Sequence, residues 1–164
     1  MKCRECGKPM ETRRVDVYPY TESGLSNVVL RNLSIRECPE GHRVVSIPQM
    51  PALHRTLAVL VAKQRPRLLG EQVRFLRKYL GLSGVDFART IDVSPESVSR
   101  WENDRERMSM TTERLIRLMV LHGSRVEEYP ISDLAEVGRG EEGPRGTVAV
   151  TVGAHGWEAT GAAA

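Results

Sequence analysis

Apolar positions follow two different periods along this chain, and the change between them divides it. Up to about residue 50, β-rich runs recur at Arg13-Val15-Val17, Val28-Leu30 and Val44-Val45-Ile47, separated by Ser23-Gly24 and by Pro39 to Gly41. Such a pattern predicts short antiparallel strands. Pro48 and Pro51 end it. From Ala52 to Gln64, Leu53, Leu57, Leu60 and Val61 fall on one helical face and predict a connecting helix. Arg65-Pro66-Arg67 interrupts that helix, because a residue before proline is pushed out of the helical region, and the segment reads as a hinge.

From Gly70 the pattern is helical and regularly punctuated. Val73, Leu76 and Leu80 form one face of a first helix that Gly81 stops, and Ser83 caps a second that runs through Phe87 and Ala88 to Ile91. Asp92-Val93 predict a tight turn. Ser94 stands at an N-cap with Pro95 at the first helical position, and a third helix continues through Val98 and Trp101. A fourth starts near Thr111, with Leu115, Leu118 and Met119 as its apolar face and Ile116 and Val120 beside it, and His122-Gly123 closes it. Beyond Tyr129-Pro130 core formers become scarce, and from Gly138 the composition predicts disorder. Thr147 to Val152 is β-like, but a lone hexamer between glycines is expected to stay mobile.

Composition sharpens this division. With 164 residues, 40% hydrophobic but only 5% aromatic, the chain suits two compact modules with a tail better than one large core. Charge is unevenly placed: residues 55–125 hold 14 Lys/Arg against 8 Asp/Glu, whereas residues 126–164 hold 2 against 7. The basic middle suits a polyanion such as DNA, and the acidic end should be repelled by it. No apolar run approaches the roughly 18 residues of a membrane span, and the first residues lack a signal-type apolar stretch, so a cytoplasmic location without membrane contact is expected.

Cys3-Arg4-Glu5-Cys6 and Cys38-Pro39-Glu40-Gly41-His42 read as two halves of a zinc site. Two residues between cysteines let a tight turn aim both sulfurs at one ion, and returning strands bring the second pair. Four ligands, Cys3, Cys6, Cys38 and His42, would close the sphere and make the site structural, supplying folding energy that a small module cannot easily draw from its own core. Two alternatives stay open for the fourth donor. His42 could be a turn residue that leaves three cysteines and water, or His54 could take its place. A redox pair of Cys3 and Cys6 lacks the βαβ surroundings of such motifs, and no general base or phosphate loop accompanies the cysteines, so no enzymatic activity is expected.

Leu76 to Glu102 has the grammar of a helix-turn-helix. Glu96, Ser97 and Arg100 would face outward near the start of its last helix, as base readers, while Val98 and Trp101 face inward. Arg100 can fork onto guanine O6 and N7, and Glu96 can accept from cytosine N4. Ser83, Ser94, Ser99, Asn103, Arg105 and Arg107 complete the expected DNA face, mainly as phosphate contacts. Any single one of Arg89, Arg105, Arg107, Arg114 and Arg117 reads equally well as a solvated surface residue.

On these residues the ordered part resembles the MqsA-type antitoxins and regulators, which join a YgiT-type zinc finger to an Xre-type helix-turn-helix. The carriers are Met1-Lys2-Cys3-Arg4-Glu5-Cys6-Gly7 with Val28 to Leu33 leading into Cys38, then Leu76 to Ser83, Phe87-Ala88 and Val93 to Glu102. The resemblance implies an α+β chain. Residues 1–50 would form the zinc finger, 51–69 a connecting helix and hinge, 70–130 a lambda-repressor-like helix-turn-helix domain, and 131–164 a mostly disordered acidic tail. It further implies a homodimer on palindromic operator DNA, repression of its own operon and, in antitoxin members of type II toxin-antitoxin pairs, a toxin bound by the N-terminal domain. A stand-alone regulator whose zinc module binds some other protein is the alternative. Arg100 falls where the family's reading arginine lies. The chain departs from the pattern where Gly41, followed by His42, replaces the second-knuckle cysteine, where Glu96 replaces a polar reader such as asparagine, where Gly84 stands near a usual glutamine, and where Asp92 replaces the turn glycine.

Overall fold

A computed structural model describes residues 1–122, 146–154 and 156–160, so the disorder expected for residues 131–145 lies outside the described residues. The chain is α+β, as the sequence predicts, and divides into two compact units. One comprises Met1–Thr21, Asn27–Leu53 and the described residues from Gly146; the other comprises Glu22–Ser26 and the chain from His54 to His122.

The first unit is built on two sheets. Strands β1 (Glu11–Val15), β4 (Leu33–Glu37) and β5 (Arg43–Val45) form an antiparallel sheet in the order β1-β4-β5, with Ile35 opposite both Arg13 and Val45. Along β4 the pleat alternates as period-two patterning requires, Leu33 and Ile35 buried and Ser34 and Arg36 exposed. Strands β2 (Tyr18–Pro19), β3 (Val28–Arg31), β6 (Val148–Gly153) and β7 (Gly156–Ala159) form the second sheet in that order. Between β3 and β4, Asn32 takes a left-handed φ of 58°, which asparagine tolerates better than most residues, and this turn carries the chain from one sheet to the other.

β6 corrects two expectations. The Thr147 to Val152 segment, expected to be mobile, pairs with β3, and it does so in parallel, Leu30 opposite Val150, where only antiparallel strands were predicted. An isolated β-like hexamer is unstable, but this one acquires two neighbours and a core: Leu30 and Val150 are both fully buried, and Trp157 on β7 is nearly so. The Trp157 indole donates to the Pro48 carbonyl at 2.9 Å. The side-chain amides of Asn27 and Asn32 donate to the carbonyls of Gly146 and Val152, fastening both ends of β6.

Helix α1 (Met50–Lys63) carries the chain into the second unit, which continues through α2 (Gly70–Tyr79), α3 (Gly84–Thr90), α4 (Pro95–Glu102) and α5 (Met110–His122). Its punctuation follows the sequence. The Ser83 hydroxyl accepts from the Asp86 amide, the Ser94 hydroxyl accepts from the Ser97 amide, and Pro95 opens α4. Gly81 ends α2 with a φ of 74°, and Asp92 takes a φ of 54° in the turn before α4.

Three charged locks bind these helices, and hydrophobic counting does not reveal them. Glu102 takes a forked bond from Arg77, at 2.5 and 3.1 Å, and a further one from Arg74, joining α2 to the end of α4. Asp104 accepts from the Gly70 amide at 2.7 Å and so caps α2 from a distance in sequence. The third lock lies on α5, whose inward face differs from the expected one. Glu113, Ile116, Arg117, Val120 and Leu121 are buried, while Leu115 and Leu118 are 42% and 50% exposed. A salt bridge from Arg117 to Glu113, both fully buried, occupies the face that an apolar count assigns elsewhere. Arg117 also donates to the carbonyls of Ala62, Gln64 and Pro66, while Arg67 and the Leu68 amide bond Glu113. The Arg65-Pro66-Arg67 segment, expected to be a hinge, is thereby tied to α5. Arg117, weighed as a surface or DNA residue, belongs to the core.

The start of α2 also passes close to α4. A Cβ at Gly70 would lie 2.6 Å from the Glu102 carbonyl oxygen and 2.8 Å from that of Trp101, and backbone cannot yield as a flexible side chain would. Gly70→Ala is therefore expected to destabilise the chain by about 1–3 kcal/mol, as overpacking does. Urea unfolding checks this, and an unchanged midpoint would contradict it.

Candidate metal centre and nucleic-acid interface

Two tight turns of similar build carry the candidate metal ligands. In the first, the Cys3 amide donates to the Lys8 carbonyl and the Gly7 amide to the Cys3 carbonyl; in the second, the Cys38 amide donates to the His42 carbonyl and the Gly41 amide to the Cys38 carbonyl. Each turn needs a left-handed residue, supplied by Gly7 at φ 72° and Gly41 at φ 83°. Gly41 thus has a conformational reason to be glycine, and the candidate donor His42 follows it. The Lys8–Glu40 ion pair links the two turns.

The structure brings Cys3, Cys6, Cys38 and His42 together, with one ligand atom of each lying within 4.8 Å of all the others. Cys6 Sγ lies 3.6 Å from Cys38 Sγ, and His42 Nδ1 lies 3.4 Å from Cys38 Sγ and 3.7 Å from Cys3 Sγ. All three cysteines are free thiols, and Cys3 and Cys38 are buried. Burial pushes the Cys38 thiol up, but bonds from Cys6, from the Glu40 and His42 amides and from the His42 ring outweigh it and hold the group at about 7. Cys6 goes the other way: the Lys8 amide pulls its pKa down, but burial and the neighbouring Cys38 and Cys3 together leave it raised. A centre of three sulfurs and one imidazole nitrogen, with one thiol pulled below its ordinary range, can hold a metal ion. His54, the alternative donor, is not part of it. Its ring meets Phe75 edge-on at 6.1 Å, and burial lowers its pKa.

Glu5 was not singled out in the sequence. Its carboxylate Oε2 lies 3.0 Å from Nε2 of His42, the ring nitrogen turned away from the sulfurs. Its place between two cysteines, in a spacer that needs only length, gave no signal of a role.

The expected nucleic-acid face lies on α3 and α4. Val98 and Trp101 are buried as expected, and this presents Glu96, Ser99 and Arg100 outward, with Ser97 half-buried beside them. Arg100 is not idle: its Nη1 donates to Glu106 Oε2 at 3.1 Å, with both side chains about half exposed. Several expected phosphate contacts have internal duties. The Ser83 hydroxyl donates to Asp86 while capping α3, Ser94 caps α4, and the Asn103 amide bonds the Ser99 carbonyl and accepts from Arg74. Arg89, Arg105 and Arg107 are exposed and Arg114 is half-buried.

Among the described residues no helix is long and apolar enough to cross a membrane. No curated protein and no solved structure matches the chain. The Helix-turn-helix family model matches residues 73–128, the segment that holds most of α2 and all of α3, α4 and α5, and this supports a DNA-binding regulator.

Proposed function

We propose that this chain is a cytoplasmic, sequence-specific transcriptional regulator that binds palindromic operator DNA as a homodimer and represses its own operon. The observation that carries the reading is the family match over residues 73–128, coinciding with a capped α4 that buries Val98 and Trp101 and turns Glu96 and Arg100 outward. Arg100 and Glu96 read bases, with Ser97 beside them. Arg105 and Ser99 contact phosphates, and Ser83, Ser94 and Asn103 serve that face through the helix ends they already shape. The Arg100 guanidinium exchanges Glu106 for a base edge on binding, so part of its gain on DNA offsets the loss of that pair.

Cys3, Cys6, Cys38 and His42 hold Zn²⁺ in this reading. A tetrahedron with Zn–S of about 2.3 Å and Zn–N of about 2.0–2.1 Å has edges of roughly 3.5–3.8 Å. Three of the six donor separations, at 3.4, 3.6 and 3.7 Å, fall near that value, and all six are within 4.8 Å. The ion would supply folding energy and no catalysis, since four protein donors close its sphere. The resemblance to MqsA-type chains makes the metal unit, residues 1–50, the partner-binding module, with a toxin as its partner. In the alternative that module binds another protein, and a toxin-sized reading frame beside the gene separates the two.

Arg100→Ala tests the DNA reading. Each good bidentate base contact is worth about 1–3 kcal/mol of discrimination, so operator binding should fall by that amount while binding to unrelated DNA changes little. Gel shifts on both DNAs at two salt concentrations provide the comparison, and an equal loss on both would remove Arg100 from the reading role. A footprint repeated at about 10 base pairs or a multiple fits a dimer.

A further inference from the structure

We infer that Glu5 is a positioning residue for the metal centre: it fixes the ring of His42 so that Nδ1, and not Nε2, is the nitrogen offered to the ion. This rests on the metal reading of the cluster. The two ring nitrogens have separate partners. Nδ1 faces sulfur, 3.4 Å from Cys38 and 3.7 Å from Cys3, and Nε2 faces the Glu5 carboxylate at 3.0 Å. A neutral imidazole carries one proton, and it can donate a lone pair from Nδ1 only when that proton sits on Nε2. A carboxylate accepts but never donates while ionised, so Glu5 holds the proton on Nε2 and leaves Nδ1 free.

The same contact bears on the strength of the donor. A histidine brings no charge to the centre, whereas a fourth thiolate would. A carboxylate accepting from the far nitrogen makes the near one more basic, which recovers part of that difference. The contact also joins the two ligand turns, because Glu5 lies in the spacer of the first and His42 closes the second. Both side chains are partly in water, 71% and 37% exposed, so the effect belongs at the lower end of what such outer contacts give.

The test uses the full chain with Zn²⁺ and Co²⁺ as probes. Metal affinity is measured by competition with a chromophoric chelator for wild type, Glu5→Ala, Glu5→Gln and Cys38→Ser, and long-range proton–nitrogen correlation spectra report the His42 ring in the Zn²⁺-loaded protein. Wild type should show Nδ1 bound and Nε2 protonated. Glu5→Ala should bind metal about tenfold more weakly. Glu5→Gln, whose amide oxygen still accepts from Nε2, should keep the tautomer and recover part of the loss. Affinity unchanged in Glu5→Ala, or a wild-type ring bound through Nε2, overturns the assignment of Glu5 while leaving the metal site standing. Absence of metal binding by wild type at levels above Cys38→Ser overturns both. Unchanged emission of the buried Trp157, read in a Zn²⁺-loaded Trp101→Phe background, shows that the first unit of Glu5→Ala is folded.

Discussion

Glu113→Ala should cost about 3–5 kcal/mol of folding stability, the range for stripping one partner from a buried ion pair. Its carboxylate is fully buried and accepts from Arg117, from Arg67 at 2.6 Å and from the Leu68 amide at 3.0 Å. Removing it takes the carboxylate partner from the wholly buried Arg117 cation, and orphans an amide as well. The pair need not be strongly stabilising for this to hold, because taking two charges out of water costs nearly as much as their attraction returns. A sharper expectation follows. Glu113→Leu combined with Arg117→Met should be far milder than the sum of the single changes, since it removes both charges while keeping volume. Urea unfolding of the four proteins gives the cycle. Additive losses, or a Glu113→Ala loss under about 1 kcal/mol, would show that water reaches the pair.

With Zn²⁺ held as proposed, stripping it should unfold the first unit and leave the second standing. Structural Zn²⁺ contributes apparent free energies of about 10–16 kcal/mol in zinc-finger peptides at pH 7, more than a small unit has to spare. The protein supplies its own reporters: of its two tryptophans, Trp157 is buried in the first unit and Trp101 in the second. In Trp101→Phe, a strong chelator should shift the remaining emission to the red, whereas in Trp157→Phe it should change little. Cys38→Ser should mimic the chelator in the first background and resist any further effect of it. A Trp157 signal blind to chelator would mean that the Leu30, Val150 and Trp157 core holds the unit without metal.

What could be read from the sequence was mostly local. Ser83, Ser94-Pro95, Gly81 and Asp92 each act within a few residues of themselves, and each sits in the structure where its side-chain chemistry or backbone freedom places it. The clustering of Cys3, Cys6, Cys38 and His42 was legible for a similar reason, since two short spacings specify two turns. What was hidden depends on partners distant in sequence. β6 is a weak strand until β3 lies beside it. The inward face of α5 carries Glu113 and Arg117, which an apolar count places outside, and the Glu113 carboxylate with the carbonyls of Ala62, Gln64 and Pro66 explains why an arginine belongs there. Glu5 and Glu106 are ordinary exposed acids until His42 and Arg100 are seen next to them.

The parallel pairing of β3 with β6 also sets an order of events. Val28 and Val148 are partners across 120 residues of chain, and the whole helical unit is spliced between them. During synthesis, α2 to α5 can therefore fold while the second sheet still lacks two of its four strands. The sheet is completed only when residues 148–159 have left the ribosome, so a nascent or truncated chain carries a finished DNA-binding half before its other half can close.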